Sequence, residues 1–126
     1  MFGLGRKRKT FDFEVTSTLQ QVLKIDTDNR TNKRFPGYLV YMDYLDAAWQ
    51  SKKTVEESVL AIALAYWGGV IESDQSAEAI RDMKEVRSKL ESFMRDNASR
   101  EKIDPVVATH VAGTLDRISR QYNLSS

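Results

Sequence analysis

The sequence predicts an all-α fold, a single-domain bundle of four to five helices. Three observations predict it. Residues 58–71, SVLAIALAYWGGVI, carry no charge, and Glu57 and Glu72 fence them. Their apolar side chains fall on every face of a helical projection, so this helix must be surrounded by others. It is the central rod, about residues 55–71. The second observation is a set of apolar stripes at helical spacing before and after it. The third is a pair of helix-start signals, Thr54 with Glu57 and Asp104 with Pro105.

The uncharged run is too short to cross a membrane. It rises about 21 Å as a helix, against a hydrocarbon core of about 30 Å.

The elements follow in chain order. Residues 1–10, MFGLGRKRKT, have two glycines, a charge run and no periodicity, and read as a flexible basic arm. Residues 11–126 form the helical domain. From Phe11 two templates compete. Phe11, Phe13 and Val15 alternate like a short strand, whereas Phe11, Val15, Leu19 and Val22 space like a helix. The helical template runs further, and predicts a helix over about 14–25. Residues 26–37, DTDNRTNKRFPG, are rich in turn formers and read as a loop.

Pro36-Gly37 opens the next helix, where the missing N–H of proline costs nothing. Tyr38, Met42, Leu45 and Trp49 form its stripe, with Tyr41 and Ala48 at the margins. Lys52 and Lys53 complement the negative end. Thr54-Val55-Glu56-Glu57 then has the form of a capping box. So short a connection makes the two helices antiparallel neighbours. Gly68-Gly69 marks either termination or close approach. The spacing of Ala61, Ala65 and Gly69 favours approach, because small residues at i, i+4 and i+8 make a groove; such a stripe is a dimer motif in membranes, but in a soluble core the expectation is a close crossing within the chain.

A fourth helix is expected over 76–97, capped by Asp74 or Ser76, with Ile80, Met83, Val86, Leu90, Phe93 and Met94 facing inward. Asp104 as N-cap and Pro105 as first residue start the fifth, whose stripe is Val107, Val111, Leu115, Ile118 and Tyr122.

Composition narrows the function classes. The chain has no cysteine, which excludes disulfides, thiolate zinc sites and cysteine nucleophiles. No apolar stretch of signal-peptide type follows the early basic residues, and Phe2 rules out a myristoylation glycine. Cytoplasmic location is expected. The net charge is +1 but unevenly placed: residues 1–34 hold eight Lys/Arg against four Asp/Glu, and residues 35–74 hold two against six. The basic excess is the local cluster Arg6, Lys7, Arg8 and Lys9. A general nucleic-acid binder is more basic over its whole folded part.

Few constellations carry chemistry. Asp26, Asp28 and Asn32 fall at calcium-loop positions, but Arg30, Thr31 and Gly37 spoil the register. His110 is the sole histidine and has no cysteine or second histidine as a metal partner. Asp43 and Asp46 lie one turn apart, as paired acids for acid–base work would, but they read as a solvated face. No metal or cofactor is expected.

The best functional hint is aromatic. Tyr38, Tyr41, Tyr44 and Trp49, with Asp43 and Asp46 beside them, give more aromatic surface than one core stripe needs. Tyrosine and tryptophan anchor interfaces because one end is apolar and the other wet. The expectation is a non-enzymatic interaction or regulatory protein that binds a protein partner or itself as a homo-oligomer. The alternative is a nucleic-acid-binding regulator that uses Arg6, Lys7, Arg8 and Lys9 on phosphates, or the same residues on an anionic membrane surface. A small enzyme with carboxylate chemistry is third.

Overall fold

A computed structural model of the chain describes residues 7–23 and 38–124, with side chains for 7–22 and 41–124. The loop expected over 26–37, with its calcium-like register, lies outside the described residues.

Five helices occur among the described residues: α1 (Arg8–Leu23), α2 (Tyr38–Gln50), α3 (Val55–Ser73), α4 (Ala77–Ala98) and α5 (Pro105–Gln121). α3 packs against all four of the others, α1 also meets α2 and α4, and α4 meets α5. The helix that holds the uncharged stretch 58–71 is thus the central rod of an all-α bundle. Val59, Leu60, Ile62, Ala63, Tyr66, Trp67, Val70 and Ile71 of α3 are buried. Trp67 is fully enclosed, and its indole N–H donates to the Met83 carbonyl of α4 at 2.8 Å. That bond satisfies the one polar atom of the largest core side chain. No described helix is long and apolar enough to cross a membrane.

α1 begins six residues earlier than expected. Phe11, Val15 and Leu19 are buried as the helical stripe, while Phe13 stands 72% exposed. The helical spacing therefore prevails over the alternating one. Arg8 supports the early start, because its Nε donates to Asp12 one turn on at 2.8 Å.

The start signals act as read. Thr54 Oγ1 accepts the Glu57 N–H at 3.0 Å, and Glu57 Oε1 accepts the Thr54 N–H at 3.0 Å. Ser76 caps α4, and Asp104 caps α5 with Pro105 behind it. The pair Gly68-Gly69 ends nothing, since α3 continues to Ser73.

Three helices end in the same way. After α2, Lys53 N–H donates to the Ala48 carbonyl and Lys52 N–H to that of Trp49. After α4, Lys102 reaches Asn97 and Glu101 reaches Ala98; after α5, Leu124 reaches Ser119 and Asn123 reaches Arg120. Each is a Schellman cap. Its left-handed residue is Lys52, Glu101 or Asn123, with φ of 57°, 60° and 60°, and none is glycine.

Candidate interaction surface

The aromatic helix α2 divides its side chains between core and solvent. Tyr41 is 4% exposed, and its hydroxyl lies 2.6 Å from that of Thr16 on α1. Burial raises the Tyr41 pKa, the Thr16 bond opposes the rise, and the Asp12 charge adds to it. Trp49 is half-buried, with its ring 5.2 Å from that of Phe11 at a tilt of 60°. The Arg8 guanidinium sits 5.9 Å from the Trp49 ring centroid. Asp46 accepts from Arg8 at 3.1 Å. Tyr44 and Asp43 face outward, and the Tyr38 side chain is outside the described set.

The expected aromatic binding face is therefore corrected. Tyr41 and Trp49 join α2 to α1, and of those described Tyr44, at 38%, and Asp43 remain exposed without a bond to α1. The reason is one of phase. α2 turns Tyr41, Leu45 and Ala48 inward, opposite the side that carries Asp43, Asp46 and Gln50, so its buried face is rotated from the stripe of Tyr38, Met42, Leu45 and Trp49.

The basic cluster divides as well. Arg6 lies outside the described residues. Lys7 is exposed ahead of α1, and Lys9 is exposed within it. Arg8 is not a tether: it pairs with Asp12 and Asp46 and covers Trp49. The helix thus includes Arg8, Lys9 and Thr10, which had been expected in the arm.

The small-residue stripe of α3 also needs correction. Ala61 and Gly69 are exposed and Ala65 is half-buried. A Cβ built at Gly69 meets nothing within 4 Å, and one at Gly68 meets only Ile118 Cδ1, at 3.6 Å. Among the described residues no close crossing uses this stripe. The tight contacts of α3 lie on its other faces, and the Ala61–Ala65–Gly69 arc opens to solvent.

His110 is exposed on α5. No group of three or more His, Asp or Glu able to hold a metal occurs among the described residues. Two shallow clefts lie elsewhere. One, of about 400 Å³, has Val22 and Phe93 on its walls. The other, of about 250 Å³, lies beside Arg87 and Ser119. Neither includes Asp43, Asp46 or His110.

Two features escaped the sequence reading. Glu57 is 8% exposed and accepts twice, from Thr54 N–H and, at 2.8 Å, from the Asp104 N–H at the start of α5. Burial pushes its pKa up, but the two backbone donors, the Thr54 hydroxyl and the Lys53 charge outweigh it, and the net shift is downward. Arg87 likewise joins α4 to α5 through the Ser119 hydroxyl and, at 2.7 Å, Asp116. Both contacts join residues far apart in sequence, so no local pattern signals them.

No family model, curated protein or solved structure matches the chain.

Proposed function

We propose that this protein is a non-enzymatic interaction module that self-associates through the open arc of α3. The observation that supports this reading is the uncovered Ala61–Ala65–Gly69 arc on a helix with no charge from 58 to 71. A helix apolar on every face gains by covering all of them. Small side chains let a second backbone come close, which increases the contact per residue. A two-fold pairing would set the arc against its own copy and bury the same residues twice. The exposed ring of Tyr44 on neighbouring α2 is of the type that anchors interfaces. The cysteine-free chain suits a reducing compartment, and cytoplasmic residence belongs to the proposal.

The nucleic-acid alternative loses one of its four cations, because Arg8 is engaged by Asp12 and Asp46.

Sedimentation over a concentration series tests the reading. The wild type is expected to form a heavier species as concentration rises. Ala61→Glu, a change at an exposed site, is expected to remain light with unchanged helical circular dichroism. A wild type that stays monomeric at high concentration, or an Ala61→Glu variant that assembles equally well, would overturn it.

A further inference from the structure

We propose that the N-terminal half of α1 docks on an anionic lipid surface, with Phe13 as its apolar anchor and Lys7 and Lys9 as its headgroup contacts. This rests on a face of the molecule distinct from the α3 arc and does not depend on self-association.

Phe13 is 72% exposed, and no core contact explains a phenylalanine there. Lys9 lies four residues before it, on the same face of the helix, and is exposed. Lys7 is exposed immediately ahead of the helix. Thr10 and Ser17 flank Phe13 one turn before and after, and are small enough to leave its ring standing proud. The first turn of α1 has no acidic residue, so the positive end of the helix dipole adds to the two lysines. Asp12 of α1 and Asp46 of α2 are both held by Arg8. The exposed acid Glu14 points about 100° away from Phe13 around the axis. The face is therefore a ring in a collar of hydroxyls with cations at one end.

Anionic lipid fits this arrangement better than nucleic acid does. An interfacial helix sinks its apolar side chains into the headgroup–acyl boundary and keeps its cations among the phosphates. Among the described residues the same face continues beyond Phe13 with Ser17 and Gln20 and no further cation; Lys24, the next residue at that spacing, lies outside them. One aromatic and a few cations make a weak, reversible contact that needs negative lipid.

The full chain is tested by co-sedimentation with phosphatidylcholine vesicles, with and without phosphatidylserine. Binding is expected only with phosphatidylserine and is expected to fall as salt rises. Lys7→Gln and Lys9→Gln are each expected to weaken it about fivefold, and Phe13→Ser about tenfold. Helical circular dichroism should not change, since all three sites are exposed. Three outcomes overturn the proposal: no vesicle binding, equal binding to both vesicle types, or binding indifferent to Phe13→Ser. A single-stranded oligonucleotide bound through Lys7 and Lys9 while vesicles are ignored would also overturn it, and would assign the face to nucleic acid.

Discussion

Glu57 shows how one side chain can set the junction of two helices. Its carboxylate closes the capping box of α3 and also accepts the first free N–H before α5. Leaving such donors without their charged acceptor costs about 1–3 kcal/mol. The folded state holds the Glu57 pKa below its ordinary value of 4.5. Its ionic contribution is thus complete above that pH, and is lost as pH falls through 4.5 towards the lowered folded value. Thermal melts should show Glu57→Gln less stable than wild type at neutral pH, with the gap closing below about pH 4. A gap that is constant with pH would mean the carboxylate charge plays no part. The cap residues give a second test at this scale. Lys52 and Glu101 adopt the left-handed conformation at the ends of α2 and α4, which glycine adopts without steric cost. Lys52→Gly and Glu101→Gly are each expected to stabilise by about 0.5–1 kcal/mol in denaturant unfolding. Asn123 tolerates that conformation better, so Asn123→Gly should gain less.

Among the elements, legibility followed the local signals. α3, α4 and α5 were readable to within a residue or two because Thr54, Ser76 and Asp104 cap them through bonds to N–H groups two or three positions on. Glycine is the usual sign of a helix end, and no glycine marks the ends of α2, α4 and α5. α1 begins early because Arg8 pairs with Asp12 one turn on, a local i, i+4 signal, and also reaches across to Asp46 and Trp49, contacts with no local trace in the sequence. Side-chain orientation was the harder question. Spacing identified the small residues of α3 but could not say whether they face a helix or water. It also placed Tyr41 at the margin of a stripe, whereas the residue is buried on the side opposite Asp43 and Asp46. The open position of Gly69 leads to a prediction at the scale of the helix. With no neighbour near a built Cβ, Gly69→Ala should stabilise the monomer by about 0.5–1 kcal/mol. Unfolding at high dilution measures it, and a loss of stability would mean that something does approach that face.

At the scale of the whole molecule, a helix uncharged from 58 to 71 stands at the centre of the bundle. Four neighbours cover most of α3, and the Ala61–Ala65–Gly69 arc remains. The central claim is that a second copy covers it. The absence of cysteine from the chain makes a single introduced thiol unique and allows a direct test. In a two-fold crossing centred on the arc, Ala65 lies nearest the axis and faces its own copy. A disulfide forms only where two Cα atoms come within about 4.4–6.8 Å. Mild oxidation of Ala65→Cys is therefore expected to give a covalent dimer at low protein concentration, while Arg81→Cys, exposed on α4, stays monomeric. If Ala65→Cys fails to cross-link, or cross-links no faster than Arg81→Cys, the arc of α3 is not where two copies meet.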